Sequence, residues 1–465
     1  MRAYSQYGAR LTAARPMRSI GAIRLTACIL CLSAPLSASP AQTLTNALQA
    51  ALQNDLDWLG AQEGATAAAE SDEQAKALFR PKARLVARAG FTDFTARVTL
   101  PAPVQDIDRL HISGSSLAGS VQIAQPLIDG EASAEKRRLR AAARSGEAER
   151  GEVRQKIILK VASAYFAVLS ARDTIAAAEA LKQAAEREAR AAQARFDAGR
   201  ARITDVREAQ AEAYRAAAQL VSAQIENSTS TARFEAMTGS KAVNLQTFRD
   251  DAALYPPLEP QAYWQDLAQR SSYRIAIQNY QLDSAVAYAD SLGWLSRMKL
   301  EASGTYEVRD VSGRTSIASI DRYSGYMAGV QLTMPIYSGG ALESRQRQAQ
   351  ALARRAQRQL ESVRQDVRLE VGRAYTQWTG SVQQAEALRL SLDAALLREK
   401  AALTSHELGM RTQADVLAAI AQVIQIRFEL QTLFRQYMIN RLALYAAAGK
   451  LHEEQLTEIE KYMTD

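Results

Sequence analysis

Two short stretches of the chain, 210 residues apart, place charged residues around a glycine in nearly the same order. The first, RFDAGRARITDV, begins at Arg195, and the second, SHELGMRTQADV, begins at Ser405. In both, a basic residue follows the glycine and an Asp-Val pair comes next. Such residues can form a polar contact between turns, or the aspartate can simply begin the following helix. The candidate functional residues of the chain therefore lie in these two turns.

Catalytic and metal-binding patterns are absent from the sequence. Metal-ligand spacing and a neighbouring nucleophile are missing around the three histidines, which are His111, His406 and His452. Both cysteines, Cys28 and Cys31, lie within the first 41 residues. The stretch YSGGA from Tyr337 lacks the Lys-Ser/Thr pair of a phosphate loop. The sequence therefore predicts a protein that is not an enzyme and that holds neither a metal nor a cofactor.

The first 41 residues have the pattern of a secretory signal peptide. Arg18 and Arg24 supply the basic region, residues 25–36 form an apolar run, and Ala41 ends a small-residue cleavage site. We therefore expect the signal to span residues 1–41. A short membrane anchor and lipidation at Cys28 are the alternatives.

The charge of the chain does not indicate a nucleic-acid partner. The formal net charge is +7, but residues 1–41 hold five arginines and no acidic residue. Without them, 52 basic and 50 acidic residues remain, which is a net charge of +2. The basic pI therefore arises from the N-terminal segment and predicts no nucleic-acid binding. Beyond residue 41 the sequence also lacks an apolar run long enough to predict a membrane-spanning helix.

The similarity between the two halves extends beyond the turns. Residues of the same type recur at an offset of 209 or 210, in the pairs Pro126/Pro335, Tyr165/Tyr375, Gly199/Gly409, Asp205/Asp415 and Gly239/Gly449. A nearly constant offset over more than a hundred residues predicts an internal two-fold repeat.

Each half contains a very long helical pattern. Residues 131–196 and 341–406 lack proline and carry apolar residues at steps of three and four, which is the period of one helix face. At 1.5 Å per residue each helix would be roughly 100 Å long, which suits a coiled coil or a tube. Shorter helices are expected over 43–78, 204–237, 263–295 and 412–448. Because each is about half as long, we expect two hairpins, each with one continuous and one interrupted leg.

Four segments alternate with period two, as half-buried strands do. Ala83, Leu85 and Phe91 share the apolar face of the first, and Leu300 and Tyr306 share that of another. Two further strands are expected near 117–125 and 326–334. Loops over about 92–116 and 310–322 are expected to cap the outer face. Secreted strands of nearly ten residues with aromatic residues on the apolar face fit an outer-membrane barrel. Four strands cannot close a barrel, and open edges cannot sit in lipid, so the wall must be shared between copies of the chain.

Together these segments resemble the TolC family of outer-membrane channel-tunnels. The motifs that carry the resemblance are SAYFAVLSARD, RFDAGRARITDV, MPIYSGGALESRQRQAQ, GMRTQADVL and YMINRLALYAAAGKLHEEQL. They occur in the family's order and span nearly all of the chain after residue 41.

The resemblance implies a mixed α and β membrane protein with an internal two-fold sequence repeat. The expected assembly is a homotrimer with a 12-stranded outer-membrane β-barrel, four strands per chain, continuous with a long α-helical coiled-coil tunnel in the periplasm. The resemblance also implies outer-membrane lipid, a periplasmic adaptor (membrane fusion) protein and an inner-membrane ABC, RND or MFS transporter as partners.

The resemblance assigns roles to the charged turns. Gly199 and Gly409 correspond to the hairpin turns at the periplasmic tip, and Asp205 and Arg411 correspond to an ion pair that closes it. Thr204 corresponds to a hydrogen-bond partner of an aromatic residue, whose position is occupied here by His406.

The resemblance also assigns ion selectivity to one residue and the turns between strands and helices to four others. Asp415 corresponds to an acidic ring at a constriction that favours cations. Ala418 stands where the family has a second carboxylate, so weaker selection is expected. The strand-to-helix turns are expected at Pro126, Gly130, Pro335 and Gly339.

The sequence as a whole predicts an outer-membrane exit duct of a tripartite system that passively conducts type I secreted proteins, drugs or both. A periplasmic coiled-coil adaptor or scaffold without a barrel is the alternative. The predicted divisions are a signal (1–41), a first repeat (42–239), an equatorial linker (240–262), a second repeat (263–449) and an equatorial tail (450–465).

Overall fold

The computed structural model describes residues 42–98, 107–248, 254–314, 322–408 and 410–464. The predicted signal peptide lies outside these residues. The first half of the described chain contains α1 (Leu44–Asn54), α2 (Leu56–Ala77), β1 (Lys82–Val98), β2 (Ile107–Asp129), α3 (Gly130–Asp197), α4 (Ile203–Thr238) and β3 (Thr247–Phe248). The second half contains α5 (Gln261–Ser271), α6 (Tyr273–Ser291), β4 (Lys299–Arg314), β5 (Arg322–Thr333), α7 (Ala341–Glu407), α8 (Gln413–Ala447), α9 (Glu453–Glu460) and β6 (Met463–Thr464).

The long helices form the predicted hairpins. Helices α3 and α7 span 68 and 67 residues, so each is about 100 Å long. Helix α3 packs against α2 in the half that follows strand β2, which is called the sheet side below, and against α4 in its other half. Helix α7 packs against α5 and α6 on the sheet side and against α8 beyond them. Each hairpin therefore has one continuous leg and one leg assembled from shorter helices.

The sheet-side helices are each interrupted, which corrects the predicted continuous helices over 43–78 and 263–295. Asp55 separates α1 from α2, and its carboxylate accepts hydrogen bonds from the backbone N–H groups of Asp57 (3.0 Å) and Trp58 (3.2 Å). Such an N-cap satisfies donors that a new helix otherwise leaves unpaired. Ser272, with extended backbone (ψ 124°), separates α5 from α6, but its side chain makes no capping hydrogen bond.

The Asp55 carboxylate is buried and also forms an ion pair with Lys160, whose Nζ lies 2.7 Å away. Burial alone would raise the pKa of Asp55, but the ion pair and the two N–H donors outweigh it and lower the pKa below its usual range. The interruption is therefore held by a carboxylate that remains ionised.

In each hairpin, the shorter helices that make up the interrupted leg meet at a glycine with left-handed backbone. Gly239 (φ +67°) follows α4 and contacts the side chain of Asn54, which donates a hydrogen bond to the carbonyl of Ala236 at 3.1 Å. Gly449 (φ +71°) follows α8 and lies against the backbone of Ser271. Left-handed backbone is readily adopted by glycine and ends helices in this way.

The four long strands form one antiparallel sheet in the order β1-β2-β4-β5. They are longer than predicted, at 17, 23, 16 and 12 residues. The loop predicted over 92–116 is partly wrong, because β1 continues to Val98 and β2 begins at Ile107. The other predicted loop, over 310–322, shortens because β4 runs to Arg314 and β5 begins at Arg322. Residues 99–106 and 315–321 lie outside the described chain.

The strand-to-helix junctions differ between the halves. Pro126 was expected in a turn, but it lies within β2 at a register shift between Pro126 and Ile128. Proline is tolerated there because a bulge removes the need for a ladder N–H. Gly130 is the first residue of α3, and a Cβ on it would lie 2.3 Å from the Cα of Ser296, so a larger side chain would clash with backbone.

In the second half, Pro335 lies in the segment between β5 and α7, as expected. Gly339 and Gly340 follow it with φ of +65° and +82°. Left-handed backbone at both positions explains the glycine pair.

A hydrophobic core lies where α1, α3, α8 and the C-terminal α9 meet. Tyr165 of α3 and Trp378 of α7 are both buried in this core. The Tyr165 hydroxyl donates to the carbonyl of Gln42 at 2.8 Å, and the carbonyl oxygen of Gln246 lies 3.2 Å from the same hydroxyl. Burial is the main cause that raises the pKa of Tyr165, so the hydroxyl stays protonated. The tail completes this core, because β6 pairs with β3.

Within the described residues, the helices are all too polar or too short to cross a lipid bilayer.

Candidate functional site: the hairpin tips and the sheet

The first hairpin turn closes on a left-handed glycine. Gly199 has a φ of +73°, and its N–H donates to the carbonyl of Phe196 at 2.8 Å. The next N–H, of Arg200, reaches back to the carbonyl of Arg195 at 2.7 Å. These two bonds satisfy carbonyls that the end of α3 leaves without partners. The predicted turn at Gly199 is therefore a helix-ending motif that reverses the chain into α4.

Asp205 stands at the start of α4. Its carboxylate accepts hydrogen bonds from the backbone N–H of Arg202 (3.1 Å) and from the hydroxyl of Thr204 (3.3 Å). Asp205 therefore satisfies the first turn of the helix, and its side chain is exposed beside that of Thr204.

The second turn repeats this backbone arrangement. The N–H of Met410 donates to the carbonyl of Ser405 at 2.9 Å, which matches the bond between Arg200 and Arg195 in the first turn. Gly409 itself lies outside the described residues, as does the side chain of His406.

Asp415 begins α8 in a reciprocal capping box with Thr412. The Asp415 carboxylate accepts from the Thr412 N–H (3.0 Å) and hydroxyl (2.8 Å), and the Thr412 hydroxyl accepts from the Asp415 N–H (3.2 Å). These hydrogen bonds lower the pKa of Asp415, and the nearby Arg411 and Arg398 lower it further. The side chain is exposed, so it presents a negative charge at neutral pH.

The Thr412 hydroxyl was not identified from the sequence as a partner of Asp415. The spacing Thr-x-x-Asp resembles the capping-box pattern, which gives a signal for this contact. The tips thus gather Thr204 and Asp205 in one hairpin and Arg411 and Asp415 in the other. The link between Asp205 and Arg411 joins neighbouring hairpins and stays a prediction.

The sheet has one apolar and one polar face, as the alternation predicts. The strand register aligns Leu85, Val121, Tyr306 and Tyr326 in a single row across all four strands. All four side chains are exposed, with Tyr326 at 86%. A contiguous exposed apolar face of this kind indicates contact with lipid or with another protein.

The opposite face carries hydrogen-bonded polar residues. Arg84 donates to the side-chain oxygen of Gln122 at 2.6 Å, and the Tyr323 hydroxyl donates to Glu307 at 3.2 Å. This face is suited to water. Among the described strands, β1 and β5 each pair on one side only, so the sheet has two open edges.

Among the described residues, no group of three or more His, Cys, Asp or Glu side chains is arranged to hold a metal ion. The structure instead has exposed, helix-capping carboxylates at the hairpin tips and a sheet with one exposed apolar face at the other end.

A sequence model of the family described as "Outer membrane efflux protein" matches residues 47–240 and 264–450. Outer membrane protein TolC of Escherichia coli is 27% identical over 317 residues, which cover 65% of this chain and 63% of TolC. Alkaline protease secretion protein AprF of Pseudomonas aeruginosa is 26% identical over 347 residues, covering 73% of this chain and 71% of AprF. The chain thus spans less than two thirds of the Escherichia coli protein.

The crystal structure of the outer membrane protein VceC from Vibrio cholerae shares the fold. It matches with a TM-score of 0.70 at 17% identity, covering 87% of this chain and 96% of VceC.

Proposed function

The chain belongs to the outer membrane efflux protein family, and we propose that it forms the passive exit duct of a tripartite export system. The family is one of outer-membrane channels and not of enzymes. The protein accordingly lies in the outer membrane, with its helical part in the periplasm.

The observation that carries the proposal is the open-edged sheet that continues into the long helices. One sheet face is apolar and exposed, and the other bears the hydrogen-bonded Arg84 and Glu307. Strand β2 passes without a loop into α3, because Asp129 ends the strand and accepts the N–H of Ala132 at 2.9 Å. A wall segment and a tunnel segment are therefore one continuous piece of chain.

We infer that three copies complete the wall. Each unpaired backbone group on an open edge would cost several kcal/mol in lipid. Pairing of β5 in one copy with β1 in the next removes every edge and yields a homotrimeric 12-stranded barrel. The same succession of helices and strands in both halves supports an internal repeat, with the halves divided at 42–239 and 263–449.

The tips serve as the gate in this proposal. Asp205 and Arg411 close the periplasmic end by pairing between neighbouring hairpins, and Thr204 and His406 supply a second link. Three copies of the ionised Asp415 form a ring that favours cations. An exposed ion pair is worth only about 0–1 kcal/mol, so these links can yield when a partner docks.

The partners are a periplasmic adaptor and an inner-membrane ABC, RND or MFS transporter, which supplies the energy. Similarity to AprF, a secretion protein, supports type I protein secretion as one cargo class, and drugs are the other. A coiled-coil adaptor without a barrel is disfavoured, because the exposed apolar face of the sheet has no role in it.

Single-channel recording in planar lipid bilayers tests the duct. Purified protein is expected to form pores, and Arg411→Ser is expected to raise their conductance by loosening the closed tip. Arg190→Ser removes another exposed arginine nine residues before Gly199 and serves as the matched control, expected to conduct like the parent. A protein that inserts but never conducts would refute the duct, and unchanged conductance in Arg411→Ser would refute the gate alone.

A further inference from the structure

The helices nearest the sheet follow the same lateral order as the strands. The strand order is β1-β2-β4-β5, and the helices pack in the order α2-α3-α6-α7. Helix α2 leads into β1, and α7 follows β5. One flank of the chain is therefore formed by β1 with α2, and the other by β5 with α7.

The α2 flank is acidic. Helix α2 contains five acidic residues and one lysine. Its buried residues Trp58, Ala65 and Ala75 face α3, whereas Glu63 and Glu70 lie on the opposite side of the helix by the 100° step per residue. Both glutamates are exposed, and neither has an ion pair within the described chain.

The α7 flank is basic. Between residues 341 and 360 this helix has five arginines and a single acidic residue, Glu343. The buried Ala349, Ala356 and Leu360 mark its inner side, and Arg347 and Arg354 lie opposite them. Both arginines are exposed, and the ion pairs found in the described residues involve neither.

The two charged rows match in spacing and in position. Glu70 and Glu63 lie seven and fourteen residues before the sheet-side end of α2 at Ala77. Arg347 and Arg354 lie six and thirteen residues after the sheet-side end of α7 at Ala341. Each pair is separated by about 10 Å along its helix. Because α2 runs toward the sheet and α7 away from it, antiparallel contact would place Glu70 beside Arg347 and Glu63 beside Arg354.

We propose that the acidic row of α2 in one copy of the chain binds the arginine row of α7 in a second copy, and so specifies how neighbours join. The proposal rests on the multi-chain duct described above and deepens it by naming the recognition contact. A foreign acidic or basic partner would match only one flank. A second copy matches both at once, at equal spacing, and the same contact also brings β1 beside β5.

The contact is tested by cross-linking in a protein whose native Cys28 and Cys31 are replaced by serine. Glu63→Cys combined with Arg354→Cys, and Glu70→Cys combined with Arg347→Cys, are expected to give covalent dimers and trimers with a short bis-maleimide. The mismatched combination Glu63→Cys with Arg347→Cys is offset by about 10 Å and is the register control. The yield of cross-linked product from each matched pair should exceed the yield from the mismatched pair by about fivefold or more, because the short linker limits the distance that can be bridged between two cysteines.

Charge reversal tests whether the contact stabilises the assembly. At low salt, Glu63→Arg and Arg354→Glu are each expected to raise the dissociated fraction in detergent about threefold, and the combined variant should restore the parent value. High salt should weaken the parent toward the single variants.

The outcomes separate this inference from the proposed function. Protein that conducts as an intact oligomer, but cross-links no better at the matched pairs than at the mismatched pair, overturns the recognition contact and leaves the duct standing. Protein that is monomeric and forms no pore overturns the duct itself. Matched cross-links that form within a single chain would contradict the lateral order on which the inference depends.

Discussion

Replacing Gly449 by alanine is expected to destabilise the protein far more than the same change at Gly239. Both glycines follow a helix with nearly equal left-handed backbone, with φ of +71° and +67°. The new methyl group at Gly449 would lie 2.1 Å from the backbone oxygen of Ser271. At Gly239 it would lie 3.1 Å from the side chain of Asn54, which can rotate away.

The magnitude follows from separating the two contributions. Left-handed backbone costs an alanine about 1–2 kcal/mol at either position. Overpacking against fixed atoms adds about 1–3 kcal/mol, and only Gly449 faces backbone that cannot yield. We therefore expect Gly449→Ala to lower the free energy of unfolding by about 2–5 kcal/mol and Gly239→Ala by about 1–2 kcal/mol.

Thermal unfolding in detergent, followed by circular dichroism at a fixed scan rate, measures this difference. Gly199→Ala provides a further control, because Gly199 has a φ of +73° and no atom within 4 Å of the added methyl group. The expected order of midpoints is Gly199→Ala above Gly239→Ala above Gly449→Ala. A Gly449→Ala protein that unfolds at the same temperature as Gly199→Ala would show that α8 does not end against Ser271 of α5 as described.

Three further predictions concern charge, pH and packing. Asp415→Asn keeps an oxygen that can cap α8 but loses the charge, so the reversal potential in a salt gradient should indicate weaker cation selectivity; an unchanged potential would exclude the acidic ring. The lowered pKa of Asp55 makes its ionised form stabilising above its ordinary pKa, and that stability is lost as pH falls through the folded value. Asp55→Asn should therefore lower the free energy of unfolding by only about 1 kcal/mol at pH 7, because Lys160 is half exposed and its charge is screened. In melts at several pH values, the difference in stability between the variant and the parent should shrink below about pH 4. Gly151→Ala would place a methyl group 2.4 Å from the Tyr273 ring, so melts should show a loss of about 1–3 kcal/mol that Tyr273→Ala partly reverses.

Helix periodicity predicted the two long helices closely and missed the interruptions in the shorter helices. The expected helix over 131–196 is Gly130–Asp197, because a 3.6-residue pattern without proline over such a length has no competing structure. The break at Asp55 was missed because one residue with extended backbone does not disturb the apolar pattern on either side. Asp55 is itself a frequent N-cap type, but an aspartate within a helical pattern is equally common as a solvated residue.

Strand length was underestimated for a different reason. The alternation in β1 is clear up to Phe91, and in the following stretch TDFTARV the apolar residues shift from odd-numbered to even-numbered positions, which breaks the pattern. Pairing with β2 continues regardless, since the register holds from Lys82 to Ala96. Backbone hydrogen bonding extends the strands further than side-chain burial alone would indicate.

The roles of Asp205 and Asp415 could not be chosen from the sequence. A carboxylate three residues into a helix has the same spacing whether it caps that helix or also meets a neighbouring chain. The structure shows the capping contacts at both positions, with the carboxylates still exposed. Capping orients each carboxylate and leaves its outer surface available, so the local and the proposed roles are compatible.

The two ends of the proposed assembly differ greatly in how firmly they hold. At the sheet, separating neighbours would expose backbone groups of β1 and β5 to lipid, at several kcal/mol for each group. At the tips, the proposed links between Asp205 and Arg411 are exposed and worth about 0–1 kcal/mol each. The charged rows of α2 and α7 lie close to the sheet end, where the proposed contact between them would reinforce the joining of neighbouring copies. In the proposed assembly a docking partner can therefore open the tips without separating the copies, because the free energy that holds the copies together is concentrated about 100 Å away along α3 and α7.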